Sequence, residues 1–514
     1  MKSGQSKEPS KLQSALAVSL GSLTNLAVGL AAQAVIAARF GAGAEVDAYF
    51  TALVVPTTLV SIFLVSLNLI FIPVFIDAKE QYGEAEAWLM VSYLSTNLIA
   101  LLLLISLALY LFSPAIMRLV GYGYDAPTQA MAARLNQLLT PMILFNAIWT
   151  IAASLLQALG RFRAAAAGLA FGNGVYLAAL LPLAQWYGVD GLAAALVLNH
   201  LFICLGVLFA LRDKLRYWQP RLGFGHARFR RLVGLWGVIF STSIFRRLNP
   251  AVQRALASPL GVGSVSYLSY GSQMVRAIDQ LLLNSVATVL FPAMARDISV
   301  GDRESAKASL MLAVRLNAFV VIPMVFGIAV AREPVVRLLL QRGAFSAENT
   351  AQVSLALLFS SGLLLNSMVG VVTSKALYSL KAVWFLAFLS VVNIAGLLFL
   401  ARLFVPRFGY LGIALADSLN FTWPWHLLYL RYRLGSLGLV SLGRAFGRFT
   451  LLSAFMAACA YGSQLLLRRW GVGQDWLLLA ATVLVGAAVY GGGSALLRFP
   501  EMALVWRRAR GWRH

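Results

Sequence analysis

Residues 87–112 read AWLMVSYLSTNLIALLLLISLALYLF and contain no charged side chain. About 20 apolar residues in a helix suffice to cross the hydrocarbon core of a bilayer. This run exceeds that length without an interruption by proline or glycine. The stretch therefore predicts a transmembrane helix.

The chain as a whole has a composition similar to that of this stretch. Of its 514 residues, 60% are hydrophobic and only 12% are charged, and the mean hydropathy is +0.78. A soluble protein of this length has no interior large enough to bury so much apolar surface. Lipid must therefore be the solvent for most of the chain.

Further apolar segments of similar length can be counted between charged, proline or glycine breaks. The full set comprises residues 15–38, 48–76, 86–112, 129–159, 164–187, 191–211, 232–258, 264–291, 309–331, 351–374, 382–401, 410–430, 449–467 and 474–497. We therefore predict an all-α integral membrane protein with about fourteen transmembrane helices.

The excess of positive charge predicts the orientation of the chain. The sequence has 42 Lys and Arg against 19 Asp and Glu. With a cytoplasmic N-terminus, about 27 basic residues fall on the cytoplasmic side, about 9 on the other side and about 6 within helices. We expect both termini in the cytoplasm, no cleaved signal peptide and a location in a bacterial inner membrane. The basic stretches 212–231 and 507–513 predict topology signals and contacts with membrane lipids, and no nucleic-acid site.

The two halves of the chain share motifs at a nearly constant offset. Phe40-Gly41-Ala42-Gly43 is followed 220 residues later by Leu260-Gly261-Val262-Gly263. The other matches are Asn146 with Asn366, Asn173 with Asn393, and Gly188, Gly191 and Asn199 with Gly409, Gly412 and Asn420. Each copy holds six helices, so both copies enter the membrane from the same side. A parallel repeat of this kind predicts two bundles with a substrate between them and alternating access.

The repeat also predicts the organisation of the chain. We expect a cytoplasmic N-terminus at 1–14, a first six-helix lobe at 15–211, a basic cytoplasmic linker at 212–231, a second six-helix lobe at 232–430, a cytoplasmic linker at 431–448, two additional helices at 449–497 and a basic cytoplasmic tail at 498–514.

Several polar and charged residues lie within the seventh and eighth segments. They are Arg246, Arg247, Asn249, Gln253 and Arg254 in the seventh, and Arg276 in the eighth. Ionisable groups at membrane depth cost roughly 3 kcal/mol or more, so each one suggests a function. Because the guanidinium fork binds phosphate oxygens in pairs, this set predicts a cavity that binds a diphosphate. The alternative is that Arg254 extends towards the membrane surface and Arg276 only pairs with Asp279.

The remaining polar residues predict neither an enzyme nor a metal or cofactor site. The four histidines are scattered, Cys204 and Cys459 are far apart, and no spacing typical of metal ligands occurs. Asp279 and Asp417 are candidates for gating or coupling. Asp417 is either a partner of one of the arginines, the carrier of a coupling proton or part of a structural hydrogen bond.

Motifs spread over nearly the whole chain resemble those of the MurJ/MviN-type lipid II flippases. They are Phe40-Gly41-Ala42-Gly43 followed by Asp47-Ala48-Tyr49-Phe50, Pro56, Phe71-Ile72-Pro73-Val74-Phe75, Gly160-Arg161-Phe162 with Asn173, Thr288-Val289-Leu290-Phe291-Pro292, and Arg342-Gly343-Ala344-Phe345 with Asn349 and Thr350. The resemblance implies the fold of the multidrug/oligosaccharidyl-lipid/polysaccharide exporters, with the last two helices forming a groove for a polyprenyl tail. It also implies an undecaprenyl-diphosphate-linked glycan as cargo and a gating role for Asp47, which matches an aspartate of the family.

The position of the arginines leaves the cargo open. The family has arginines in its first two helices, whereas residues 24–38 and 56–70 of this chain contain none, and Gln273 stands where the family has an arginine in the eighth helix. An exopolysaccharide or O-antigen repeat unit on the same carrier is therefore an alternative to lipid II. A cation-coupled exporter of small molecules and a non-transporting protein that binds envelope glycan polymerases are two further alternatives.

Overall fold

The computed structural model describes residues 11–223, 225 and 227–502. Within its helices the side chains of residues 11–23, 64–66, 68–70, 228, 231, 232, 235, 236, 238–243, 246, 281–293, 295 and 299 are not described.

The described chain consists of helices and connecting turns. In the first half these are α1 (Lys11–Phe40), α2 (Ala44–Tyr82), α3 (Glu84–Leu111), α4 (Ser113–Val120), α5 (Ala126–Leu139), α6 (Pro141–Ala158), α7 (Phe162–Leu211) and α8 (Ala227–Ala257), with 3-10 turns at Leu215–Tyr217 and Ser258–Leu260. In the second half they are α9 (Ser264–Val300), α10 (Arg303–Leu340), α11 (Ala347–Ser360), α12 (Gly362–Ser379), α13 (Val383–Phe408), α14 (Tyr410–Leu419), α15 (Trp423–Leu434), α16 (Leu439–Arg469) and α17 (Asp475–Leu496).

The prediction of an all-α integral membrane protein is confirmed. Over the residues with described structure there is no strand, and nine candidate spans are long and apolar enough to cross a membrane. Each of the segments predicted from the sequence falls on one helix, on part of one or on two consecutive helices. The fifth and sixth segments, for example, are the two parts of α7, which are separated by a non-helical residue at Gly188.

The internal repeat appears in the backbone as well as in the sequence. Gly188 has φ 59° and ψ −137°, and its counterpart Gly409 has φ 57° and ψ −137°. This conformation is rarely open to residues with a Cβ atom. Gly191 and Gly412 follow at the same spacing, and a Cβ atom on either would lie within 2.6 Å of the backbone of the preceding helix. Glycine at these positions therefore permits the same sharp reversal in both copies.

Paired asparagines repeat in the same way. In the first copy the Asn199 side chain donates to Asn173 Oδ1 at 3.1 Å, and in the second copy the Asn420 side chain donates to the Asn393 carbonyl at 2.6 Å. An amide buried in an apolar environment requires such a partner. The bonds join corresponding positions in the two copies, through the side chain of Asn173 in the first and the backbone of Asn393 in the second.

The described residues form two compact units, divided between Val265 and Ser266. In the first unit α8 packs along α2, and an aromatic core forms around Phe71, Phe75 and Trp88. By packing, α8 thus belongs with the helices that precede it, although the repeat assigns it to the second copy. The difference arises because the repeat follows duplicated sequence, whereas the units follow the packing of the helices.

In the second unit α16 and α17 pack against α10. The Tyr490 hydroxyl donates to the Phe319 carbonyl at 2.9 Å, and the Phe319 ring contacts Phe449. Arg337, near the end of α10, forms an ion pair with Asp475 at the start of α17, at 3.1 Å. The two additional helices are therefore fixed to the body of the second unit through α10.

Candidate functional site

Asp47 lies in the first turn of α2 and is almost fully buried. Its Oδ2 atom accepts a hydrogen bond of 2.7 Å from the backbone N–H of Gly263, in the connection between α8 and α9. A carboxylate that accepts from a backbone amide makes one of the stronger hydrogen bonds in proteins. The aspartate thus ties the start of α2 to the segment that follows α8.

Tyr124, in the connection between α4 and α5, lies beside this bond. Its hydroxyl is 2.7 Å from Thr51 Oγ1 and donates to the Asp47 carbonyl at 3.3 Å. Burial, followed by the Asp47 charge, raises the pKa of Tyr124 above its ordinary value. The hydroxyl therefore keeps its proton and can act as a donor throughout the physiological pH range.

The α4–α5 connection also contacts the α8–α9 connection directly. The Gly123 N–H donates to Ser258 Oγ at 3.2 Å, and a Cβ atom on Gly123 would lie 2.3 Å from Pro259 Cα. Only glycine permits so close an approach of the backbones. We name the residues Asp47, Gly123, Tyr124, Ser258 and Gly263 the loop interlock.

The polar residues predicted on the seventh segment lie along the last third of α8. Arg254 and Gln253 are buried, and Arg254 is close enough to the Tyr124 hydroxyl to interact with it electrostatically. Arg247 and Asn249 are half-buried. Arg247 precedes Arg254 by two helical turns, or about 10 Å along the axis. The side chain of Arg246 lies outside the described residues.

The other predicted residues meet in the second unit. Arg276 on α9 donates through Nη2 to Ser272 Oγ at 2.6 Å. It also interacts electrostatically with Asp279 and Asp417. Ser367 on α12 donates to Asp279, and Asp417 is buried on α14. Three helices therefore contribute to one polar cluster. Its three ionisable groups carry a formal charge of minus one.

The structure thus brings together Asp47 with Arg254, through Tyr124, and separately Arg276 with Asp279 and Asp417. Sequence reasoning missed Tyr124, Gly123 and Ser258. The spacing of glycines in Gly121-Tyr122-Gly123-Tyr124 was the available signal, because paired glycines in a short connection mark a close backbone approach. In the part of the chain that the structure describes, no group of His, Cys, Asp or Glu residues is arranged to hold a metal ion.

Comparison with known proteins adds the family. The sequence model of the family described as "Lipid II flippase MurJ" matches residues 36–481. The chain belongs to the lipid II flippase MurJ family. Its relatives include the probable lipid II flippase MurJ of Vibrio cholerae serotype O1, which is 25% identical over 93% of this chain and 94% of the relative. The probable lipid II flippase MurJ of Thermotoga maritima is 27% identical over 97% of this chain and 99% of the relative.

A solved structure described as lipid II flippase MurJ in an inward closed conformation has the same fold. It superposes with a TM-score of 0.79 at 21% identity and covers 95% of this chain and 99% of its own. An inward-facing multidrug transporter of the MATE family superposes with a TM-score of 0.67 at 15% identity over 81% of this chain and 95% of its own. This member of the MurJ family is thus a multi-pass inner-membrane protein with a transport rather than a catalytic role.

Proposed function

We propose that the protein moves an undecaprenyl-diphosphate-linked saccharide from the cytoplasmic to the periplasmic leaflet by alternating access. The observation that carries the proposal is the presence of arginines on α8 and α9, two helices that the sequence predicts to cross the membrane, in a chain of the lipid II flippase MurJ family. A diphosphate has to be desolvated to cross the bilayer, and guanidinium groups replace its water with paired hydrogen bonds. No covalent chemistry is needed.

The arginines have different parts in this proposal. Arg247, Asn249 and Gln253 on α8 bind the diphosphate, since they form the polar stretch that follows the mostly apolar residues 232–245 of this helix. Arg276 cannot attract an anion by itself, because Asp279 and Asp417 compensate its charge. It contributes to binding when both carboxylates take up protons or move away from the guanidinium. This makes Asp279 and Asp417 the coupling groups of the cycle.

The loop interlock is the closure on the side proposed to be periplasmic. Its residues connect α2, the α4–α5 connection and the α8–α9 connection through two backbone-donated hydrogen bonds and one close glycine contact. Opening towards that side requires these bonds to break. Asp47 is then a gating residue, and the buried Arg254 lies within electrostatic range of the same closure.

The proposed cargo class includes lipid II and other surface glycan units on the same carrier. The proposed orientation places both termini, the linker 212–231 and the basic tail in the cytoplasm, where anionic lipids attract arginine. Envelope glycan polymerases are the protein partners that this cargo would require on the opposite side. Two six-helix lobes at 15–211 and 232–430 remain our assignment of the repeat.

Complementation tests the function and separates the two cargo classes. A bacterium depleted of its lipid II flippase is supplied with this chain, and the envelope sugars of a strain that lacks the chain are profiled in parallel. Rescue of growth is the result expected for lipid II. Failure to rescue, together with loss of one surface polysaccharide, would assign the chain to that polymer. Failure to rescue with an unchanged envelope would contradict the proposal.

A further inference from the structure

The segment between α7 and α8 is attached to α3 by a row of polar side chains. We call residues 218–223 the strap and Ser92, Ser95, Thr96 and Asn97 the rail. The Gln219 N–H donates to Ser92 Oγ at 3.0 Å, and the Arg221 N–H donates to Thr96 Oγ1 at 3.2 Å.

The two ends of the strap are held in the same manner. The Trp218 indole N–H donates to Ser95 Oγ at 2.7 Å. Asn97 binds Gly223 twice, by accepting from its N–H and by donating to its carbonyl, each at 3.1 Å. The strap ends four residues before the start of α8. The strap therefore holds the start of α8 near α3 together with the buried Phe229 ring, which stacks on Tyr93 of α3.

Three of the four rail residues, Ser92, Ser95 and Asn97, also bind a partner within α3. Ser92 and Ser95 donate to the carbonyls of Trp88 and Val91 at 2.8 Å, and the Asn97 amide donates to the Tyr93 carbonyl at 2.7 Å. These bonds lie within α3 and do not depend on the strap. When the strap leaves, the Ser92 and Ser95 hydroxyls keep their acceptors within α3, and the Asn97 amide keeps the Tyr93 carbonyl but exchanges the Gly223 carbonyl for water.

The strap can also leave at little cost. Gln219, Arg221 and Leu222 are exposed, so water can replace the rail as the partner of the strap amides. The chain just before it is anchored separately from the rail, through the bidentate pair of Arg161 with Asp213 and the pair of Lys214 with Glu84 at 2.9 Å. A separate anchor followed by a weakly held segment is the arrangement of a clasp.

We propose that the strap is a reversible clasp: it holds the start of α8 on α3, and its release is a step of the transport cycle. The inference rests on the transport function proposed above. Release lets α8 shift at its N-terminal end while the anchor at Arg161 and Asp213 stays in place. The clasp lies at the opposite end of α8 from the loop interlock, so the two attachments of this helix can be opened separately.

A cysteine pair tests the release. Thr96→Cys and Arg221→Cys are combined in a background with Cys204→Ser and Cys459→Ser, and the cross-link is confirmed by mass spectrometry. Oxidation is expected to stop complementation or transport, and reduction to restore it. A pair at Tyr110 and Gln137, which ties α3 to α5 where Gln137 donates to the Tyr110 carbonyl at 3.1 Å, is the control. Full activity with the strap cross-linked would overturn the proposal.

Hydrogen exchange tests the clasp without any cargo. The amides of Gln219, Arg221 and Gly223 are expected to exchange faster than those in the middle of α3. Loss of one ordinary hydrogen bond changes an opening equilibrium about five-fold, so Asn97→Ala should accelerate their exchange at least that much. Ser106→Ala, on the same helix away from the rail, is the matched control. Strap amides that exchange as slowly as the core of α3 would refute the clasp even if the protein transports.

Discussion

Arg247→Ala abolishes complementation while the protein still accumulates in the membrane: this is the result that we expect from a diphosphate-binding arginine. Arg247 is half-buried on α8, two turns before Arg254. A hydrogen bond to a charged group contributes roughly 1.5–3 kcal/mol, and a guanidinium makes two of them to a diphosphate. The expected loss of transport is therefore about 100-fold or more. Growth of the depleted strain and the amount of protein in the membrane are the measurements.

Arg276→Ala is expected to abolish function as well, for a partly different reason. Removing the guanidinium leaves Asp279 and Asp417 without their compensating charge at membrane depth. The double substitution Arg276→Gln with Asp279→Asn keeps the formal charge of the cluster and separates the two effects. We expect this double variant to accumulate normally and still to fail in transport.

An arginine without such a position supplies the control. Arg444 is exposed on α16, and Arg444→Ala should leave growth unchanged. If Arg247→Ala and Arg276→Ala both retain full activity, these arginines do not bind the diphosphate. If Arg444→Ala reduces growth as much as the other two substitutions, the loss follows from removing any positive charge and does not identify a binding site.

The second large effect is expected at Asp47. Asp47→Ala removes the acceptor of the Gly263 amide, and with it a hydrogen bond to a charged group worth roughly 1.5–3 kcal/mol. We introduce a cysteine at the buried Ser264 and measure its reaction with a membrane-impermeant thiol reagent added from outside. In the Asp47→Ala variant this cysteine is expected to react at least about ten-fold faster than in the protein that keeps Asp47. Transport should fall at the same time, because the closure no longer holds.

Three variants distinguish a gating role of Asp47 from a general destabilisation of the protein. Glu45→Ala removes an exposed carboxylate from the same turn of α2 and should leave the labelling rate unchanged. Asp47→Asn keeps one neutral acceptor and should fall between wild type and Asp47→Ala. Tyr124→Phe, which loses the bond to Thr51, should have a smaller effect than Asp47→Ala. Equal labelling in Asp47→Ala and wild type would mean that the interlock does not close the protein.

The helices could be predicted from the sequence because lipid imposes a strict length on apolar segments. The repeat was equally visible, since Gly188 and Gly409 require the same backbone conformation and tolerate few substitutes. Both signals are local: they depend on consecutive residues or on short motifs at a fixed offset. That is why the positions of the predicted segments agree with the helices of the structure.

The contacts of the site were less accessible to such reasoning. Tyr124 acquires its place only because a connection distant in sequence approaches Thr51 and Asp47. Nothing in the spacing of charges indicates that Arg254 lies beside this tyrosine rather than beside Arg276, or that α8 packs with the first unit. Likewise, the rail on α3 consists of ordinary serine, threonine and asparagine residues, whose role appears only with the strap in place.

Transport by the purified chain is the most direct test of the central claim. The protein is reconstituted in liposomes that hold a polyprenyl-diphosphate-linked saccharide in both leaflets, and the fraction open to a membrane-impermeant sugar-modifying enzyme is followed in time. We expect wild type to make the inner-leaflet pool accessible and Arg247→Ala to leave it protected, as in empty liposomes. A wild-type protein that never exposes this pool, or an Arg247→Ala protein that exposes it at the wild-type rate, would contradict the account.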